Sequence, residues 1–111
     1  MKVFFKTKKL ETQFEINCIR KSWNRVTAEK ILQRMNELAA APNLAELDHL
    51  PPTRCHELKN KDKGRFSVSA GDKVRIVFEP CHDPIPRKLD RGIDRNLVTE
   101  IRISFLGDYH E

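Results

Sequence analysis

Residues 56–78 read HELKNKDKGRFSVSAGDKVRIVF and contain the clearest strand pattern in the chain. Apolar and polar residues alternate over 65–69 and again over 74–78, which predicts two strands that each have one buried face. The intervening residues 70–73, AGDK, include a glycine, which favours a tight hairpin turn. The buried face of this hairpin would consist of Phe66, Val68, Val74, Ile76 and Phe78.

The N-terminal region predicts a short strand followed by a helix. Lys2–Lys6 (KVFFK) is rich in Val and Phe, which favours a strand. Leu10–Trp23 has apolar residues at helical intervals, and Asn24 is suited to end that helix in the left-handed conformation. An alternating strand also fits residues 12–16, so both interpretations of this segment stay open.

Thr27–Ala41 is the clearest helix in the sequence. Thr27 can cap its first turn, and Pro42 ends it. We expect its apolar stripe to pack into the core rather than form a partner-binding groove. The stripe consists of Ala28, Ile31, Leu32, Met35, Leu38 and Ala39. The opposite side is polar and is expected in solvent, with Lys30, Gln33, Arg34, Asn36 and Glu37.

The segments on either side of the hairpin predict further strands. Leu44–Leu50 predicts a helical turn, after which Pro51-Pro52 should force an extended chain into a strand over Thr53–Lys59. Cys81–Asn96 is polar and contains Pro, as is typical of an inserted surface loop. Leu97–Phe105 predicts the last strand, whose inward residues would be Ile101, Ile103 and Phe105.

These elements predict an α+β fold in a single domain, residues 1–111. Two N-terminal helices would pack on one face of a three- to four-stranded antiparallel sheet, to which Lys2–Lys6 would add a short strand. The other sheet face would be open and basic, because Arg65, Arg75 and Arg102 would gather there.

Composition narrows the class of protein further. The formal net charge of +5 suits a polyanionic partner, although it equally suits mere solubility. Three cysteines without a C-x-x-C pair favour a reducing compartment. No apolar run approaches the roughly 18 residues of a membrane span, and the N-terminus becomes charged too early for a secretory signal. We therefore expect a cytoplasmic protein with no membrane partner.

Two places in the chain concentrate groups that can transfer protons. His56 and Lys59 precede the hairpin, and Asp108-Tyr109-His110 follows the last strand. An imidazole exchanges protons near neutral pH, a phenol can donate one, and Asp108 could orient either neighbour. Gly107 offers a bend that could return the tail to a sheet face. Taken singly, each group is more simply a solvated side chain or a frayed terminus.

Placed together on the open face, these groups and the arginines would form a site that handles phosphate. They could deprotonate a 2′-hydroxyl, protonate a leaving 5′-oxygen and stabilise the transition-state charge. RNA supplies its own nucleophile, so no metal or other cofactor is expected. A zinc site at Cys55-His56 and Cys81-His82 is disfavoured, because the spacing matches no common pattern and adjacent strand residues face opposite ways.

The same residues resemble the HigB branch of the RelE/ParE toxin superfamily, the plasmid maintenance killer proteins. The resemblance is weakest over residues 1–26. It is carried by motifs in a fixed order along the chain: His56-Glu57-Leu58-Lys59, Gly64-Arg65-Phe66-Ser67-Val68, Arg75-Ile76-Val77-Phe78 and Asp108-Tyr109-His110.

The resemblance implies a microbial-RNase-like fold and the toxin of a type II toxin–antitoxin system. Such a toxin cleaves mRNA on the ribosome without a metal and so inhibits translation. Its partners would be the ribosome, mRNA and a HigA-like helix-turn-helix antitoxin, through which the complex would bind its own operator. By matching position, the catalytic residues would be His56, Lys59, Asp108, Tyr109 and His110. Phosphate or RNA would be bound by Arg65 and Arg75.

The sequence departs from the family pattern in three places. Asn60–Lys63 replaces the usual Gly-Asp-Arg, Phe66 stands where Trp is common, and Cys81–Asn96 lengthens a short connection. Two alternatives stay open. One is a non-catalytic ParE-like toxin that inhibits DNA gyrase, although that branch generally lacks a terminal histidine. The other is a non-toxic binding module on the same scaffold.

Overall fold

The computed structural model describes residues 1–109, which fold around one five-stranded sheet. In chain order its strands are β1 Lys2–Phe5, β2 His56–Glu57, β3 Phe66–Ser69, β4 Val74–Pro80 and β5 Glu100–Asp108. Their spatial order is β1-β5-β4-β3-β2. β1 runs parallel to β5 and every other neighbouring pair is antiparallel. The two longest strands are neighbours, with β4 at the centre of the sheet and β5 between β4 and the edge strand β1.

Three α-helices and four short 3₁₀ turns connect these strands. The helices are α1 Lys8–Gln13, α2 Ile16–Ser22 and α3 Arg25–Ala40. The 3₁₀ turns are Leu44–His49, Pro51–Thr53, Asn60–Asp62 and Arg95–Leu97. The predicted α+β class is confirmed, with one α-helix more than the sequence suggested and with each of the five predicted strand segments contributing a strand. Among residues 1–109, no helix has the length and apolar character needed to cross a bilayer.

The extra helix arises because the segment predicted as one helix from Leu10 to Trp23 is broken. Glu15 is extended (φ −66°, ψ 141°) and separates α1 from α2. The break lets Phe14 at the end of α1 and Ile19 in α2 both reach the core. Asn24 was expected to end this helix with a positive φ. It has φ −63° instead and caps α3, because its side-chain oxygen accepts the Thr27 N–H at 2.9 Å.

The core lies between the helices and one face of the sheet, called here the inner face. Phe66 and Val68 of β3, and Ile76 and Phe78 of β4, are buried there as predicted. The remaining members of the core include Leu10, Phe14, Ile19, Ala28, Ile31, Leu38, Leu44, Leu47, Val98, Ile101 and Ile103. The opposite side of the sheet is called the outer face.

Arg34 was predicted to face solvent from α3, and this prediction is wrong. The residue is 4% exposed. Its guanidinium donates to the carbonyl oxygens of Ser69 at 2.7 Å and Pro52 at 3.1 Å, and to the Glu37 carboxylate at 2.7 Å. These bonds satisfy the buried charge, so Arg34 ties the helix to the end of β3 and to the Pro51–Thr53 turn.

The edge strand β2 is shorter than predicted. The sequence suggested a strand over Thr53–Lys59 after an extended Pro51-Pro52. The prolines instead begin a 3₁₀ turn, where their fixed φ is tolerated, and Arg54 follows it in the left-handed region (φ 49°). Only His56 and Glu57 pair with β3. β5 likewise begins at Glu100 rather than Leu97, because Arg95–Leu97 forms a turn.

Residues 81–99 fold back onto the domain. The backbone N–H of Lys88 donates to the carbonyl of Gly92 at 2.8 Å, and Ile93 is buried. The Arg95 guanidinium lies 4.9 Å from the centroid of the Phe66 ring and 3.4 Å from the Asp48 carboxylate. Most of this segment is exposed or half-buried. These contacts nevertheless attach it to the core on the inner face of the sheet.

Candidate functional site

A β-bulge determines which residues β5 presents on the outer face. Val77 pairs with Phe105 and Phe78 pairs with Ile103, so Ser104 is an extra residue between the two pairs. Its hydroxyl donates to the Val77 carbonyl at 3.3 Å. Beyond the bulge the alternation is reversed, because a bulge adds one residue to a period of two.

The reversal overturns the prediction that Phe105 points inward. Residues directly opposite each other in a sheet share a face. Val77 lies between the inward residues Ile76 and Phe78, so Val77 and its partner Phe105 are on the outer face. Leu106, opposite Ile76, packs against the core in place of Phe105.

Tyr109 lies against this outer face. Its ring meets the Phe105 ring edge-on, with centroids 5.5 Å apart. Its hydroxyl donates to the Asp62 carboxylate oxygen Oδ2 at 2.6 Å, across 47 residues of sequence. Tyr109 directly follows β5, and its aromatic side chain joins the strand to the Asn60–Asp62 turn.

Gly107 permits this packing. Its φ is +154°, a region that favours glycine, and it lies opposite Arg75 on the outer face. A Cβ at this position would lie 3.1 Å from Cζ of the Phe105 ring. The bare backbone therefore provides the surface on which Phe105 lies, and Phe105 in turn contacts Tyr109.

His56 stands on the same face from the edge strand β2. It pairs with Ser67, which pairs with Val77, so His56, Ser67, Val77 and Phe105 form one row across four strands. His56 is exposed. Its Nδ1 lies 3.0 Å from the Arg54 carbonyl oxygen, and a carbonyl only accepts, so Nδ1 carries the hydrogen. The neutral ring then has an unprotonated Nε2, the form required of a general base.

Lys59 leads into the turn that holds Asp62. Lys59 is exposed, and its carbonyl accepts the Asp62 N–H at 3.2 Å. The second Asp62 oxygen, Oδ1, lies 3.6 Å from Nη1 of Arg65. The Glu57 carboxylate accepts the Gly64 N–H at 3.0 Å and helps to close the loop between β2 and β3. This loop thus brings Lys59, Asp62 and Arg65 to the end of the sheet that Tyr109 reaches.

The two other arginines of the predicted site are engaged elsewhere on the outer face. Nη1 of Arg75 donates to the Ser69 hydroxyl at 3.2 Å and to the Val74 carbonyl at 3.0 Å, so its side chain folds back over the hairpin turn. Arg102 pairs with the Glu79 carboxylate at 3.2 Å, two residues along β4 from the Val77–Phe105 pair. Neither has a described contact with Tyr109 or Asp62.

The C-terminal motif is described only in part. Asp108 ends β5 opposite Val74 and is exposed, while Tyr109 is half-buried. His110, the other predicted catalytic residue of the tail, lies outside the described residues. The described part of the predicted site therefore brings His56, Tyr109 and Arg65 to one face of the sheet.

Asp62 is the residue that sequence reasoning missed. It is the one acidic residue among the basic residues of KNKDKGR, 59–65, and this single acid was the feature of the sequence that could have drawn attention to it. The contact with Tyr109 depends on how the Asn60–Asp62 turn packs beside the end of β5, which no local pattern reveals. Phe105 was missed for a related reason, because the bulge interrupts the alternation from which its direction was inferred.

The cysteine–histidine pairs do not assemble. Over residues 1–109, no group of three or more His, Cys, Asp or Glu side chains is arranged to hold a metal ion. Burial raises the pKa of the Cys55 thiol to about 12, so the thiol stays protonated at neutral pH. His82 accepts backbone N–H groups of Thr99 and Glu100 on Nε2, at 3.0 and 3.2 Å, which anchors the long loop to β5.

The backbone is similar to that of a solved toxin. The structure titled YoeB/ParE toxin from Agrobacterium tumefaciens aligns with a TM-score of 0.53 and 11% sequence identity, covering 99% of this chain and 100% of that chain. No protein-family profile and no curated protein matches the sequence. At this identity the likeness establishes a shared fold.

Proposed function

We propose that this chain is the toxin of a type II toxin–antitoxin pair and that it inhibits translation by cleaving mRNA on the ribosome. The observation that carries the proposal is the convergence of His56, Tyr109 and Arg65 on the outer face, on a fold shared with a YoeB/ParE toxin. The ordered motifs that resemble HigB toxins supply the finer assignment to that branch.

The proposed reaction uses the 2′-hydroxyl of the RNA as nucleophile. Nε2 of His56 removes the hydroxyl proton, and the 2′-oxygen attacks the adjacent phosphorus to form a 2′,3′-cyclic phosphate. The bond from phosphorus to the 5′-oxygen breaks, and Tyr109 or His110 supplies the proton to that leaving oxygen. Lys59 and Arg65 stabilise the charge that develops on the phosphate, while Asp108 orients the tail.

Binding of RNA and of partners follows from the same proposal. Arg75 and Arg102 extend the cationic outer face, where they would hold backbone phosphates of mRNA or ribosomal RNA. The protein would act in the cytoplasm, where ribosomes are found. A HigA-like helix-turn-helix antitoxin would neutralise it, and the complex would bind its own operator through that antitoxin.

The test is parallel induction of the wild type, His110→Ala and Lys59→Ala without antitoxin, followed by genome-wide mapping of mRNA 5′ ends. We expect new 5′ ends inside translated regions with the wild type alone. We also expect the wild type to arrest growth and both variants to fail to do so. Equal amounts of soluble protein from all three chains are the control.

Other outcomes would point to the alternatives. Growth arrest with intact mRNA and inhibited DNA supercoiling would replace the nuclease with a ParE-like gyrase inhibitor. Absence of arrest with soluble wild-type protein would indicate a non-toxic binding module on the same fold.

A further inference from the structure

We infer that the Asp62 carboxylate occupies the position of a substrate phosphate between Tyr109 and Arg65, and that bound RNA must displace it. The inference rests on the proposed function for the identity of the substrate, and it makes Asp62 a determinant of how tightly that site binds an oxyanion. The Asp62 carboxylate is in contact with both of these groups.

The geometry of the carboxylate supports this reading. One oxygen, Oδ2, accepts the Tyr109 hydroxyl at 2.6 Å, and the other, Oδ1, lies 3.6 Å from Nη1 of Arg65. A phosphodiester likewise presents two non-bridging oxygens that share one negative charge. Hydroxyl and guanidinium groups bind carboxylate and phosphate oxygens by the same charge-assisted hydrogen bonds. A phosphate could therefore make both contacts that Asp62 now makes.

The surrounding charges favour an anion at this place. Lys59, Lys61, Lys63 and Arg65 lie within three residues of Asp62 in sequence, and no other acid lies between them. Of these cations, Arg65 is the one whose side chain faces the Asp62 carboxylate in the described contacts. The separation of 3.6 Å between Asp62 and Arg65 exceeds a good hydrogen-bond length, so this contact is the weaker of the two and the easier to exchange.

The loop itself does not depend on the Asp62 side chain. Its backbone is held by the Lys63 N–H on the Asn60 carbonyl and by the Arg65 N–H on the Asp62 carbonyl, each at 3.0 Å. Glu57 adds a third bond through the Gly64 N–H. The carboxylate can therefore be neutralised or displaced while the turn keeps its shape.

Neutralising Asp62 should strengthen oxyanion binding. In Asp62→Asn the amide oxygen can still accept the Tyr109 hydroxyl, but the competing negative charge is gone. A like charge within about 4–6 Å of a bound anion is strongly unfavourable, so we expect phosphate to bind about tenfold more tightly to the variant.

The experiment uses the single tyrosine of the chain as the probe. The full-length protein is labelled with ¹³Cζ-tyrosine, and its one signal is followed by NMR while inorganic phosphate is added. Glu29→Gln is the matched control, because it makes the same change in net charge and also removes a 3.6 Å ion pair with an arginine, Arg25. That pair lies on α3, on the helix side of the sheet.

The inference predicts that the Kd for phosphate is about tenfold lower in Asp62→Asn and unchanged in Glu29→Gln. The double variant Asp62→Asn/Arg65→Gln should lose this increase in affinity. The inference is overturned if Asp62→Asn binds no more tightly than the wild type, or if Glu29→Gln gains as much. If Asp62→Asn does not fold, Arg65→Gln decides alone. Weakened phosphate binding at the Tyr109 signal supports the inference, and unaltered binding contradicts it.

The titration also separates this inference from the proposed function. It measures anion binding, whereas the proposed function is tested by mRNA cleavage. If the wild type cleaves mRNA but Asp62→Asn binds phosphate no more tightly, the inference is refuted and the proposed nuclease function is retained. A gain in Asp62→Asn without any cleavage by the wild type would support the oxyanion site and refute the nuclease.

Discussion

The two faces of the sheet differ in what holds their side chains. On the inner face, Phe66, Ile76 and Phe78 are fully buried. They stabilise the fold because their apolar area is removed from water. On the outer face, side chains are positioned by directional contacts, such as the Tyr109 hydroxyl on Asp62 and the His56 ring on the Arg54 carbonyl. Stability and the proposed chemistry therefore reside on opposite sides of the same strands.

The largest expected effect is on the inner face. Phe78→Ala should lower the free energy of unfolding by about 3–5 kcal/mol, because it removes a buried ring and the stacking partner of Phe66, whose centroid lies 6.0 Å away. Denaturant unfolding followed by circular dichroism measures this loss. Leu89→Ala is the control, since Leu89 is fully exposed and its truncation should change stability by less than about 0.5 kcal/mol. Equal losses in both variants would contradict this division of the sheet.

A smaller effect is expected at Arg34, which joins α3 to the end of β3 and to the Pro51–Thr53 turn. Arg34→Met should cost about 3 kcal/mol, because Glu37 and the carbonyls of Ser69 and Pro52 lose a buried donor. Arg25→Met on the same helix breaks only an exposed pair and should cost less than about 0.5 kcal/mol. Unchanged stability in Arg34→Met would show that the buried guanidinium is dispensable and would contradict its role in joining α3 to β3.

The smallest expected effect sharpens the role of the outer face. Gly107→Ala should cost about 1–2 kcal/mol, from its positive φ and from the clash with the Phe105 ring. Gly71→Ala has a comparable φ of +110° but an uncrowded Cβ, so it should cost only about 1 kcal/mol. The single ¹³Cζ-tyrosine signal should shift in Gly107→Ala and stay unchanged in Gly71→Ala. An unmoved signal in Gly107→Ala would show that the glycine does not position Tyr109.

Regular alternation made much of the inner face predictable. The hairpin over 66–69 and 74–78 follows directly from a period of two, because each strand needs one apolar face. Phe105 escaped the same rule because the extra residue Ser104 shifts the period within β5. Arg34 escaped it because a charge on a helix is normally solvated, and only tertiary partners reveal that this one is buried.

The candidate site was harder to predict from the sequence than the inner face. The resemblance to HigB toxins pointed to His56, Arg65 and Tyr109, and the strand register gives His56 the same face as Phe105. The contact between Tyr109 and Asp62 spans 47 residues and depends on how the Asn60–Asp62 turn packs beside the end of β5. Such a contact is determined by the packed fold, so no propensity or spacing could have predicted it.

The most direct test of the central claim compares two exposed histidines. Purified His56→Gln and His49→Gln are added to ribosomes programmed with mRNA, and the cleavage rate is measured beside the melting temperature of each variant. His49 lies in the Leu44–His49 turn, away from the row that His56 shares with Phe105. We expect His56→Gln to lose roughly 10²–10⁴-fold in rate at an unchanged melting temperature, and His49→Gln to retain the wild-type rate. Full activity in His56→Gln would contradict the assignment of chemistry to the outer face.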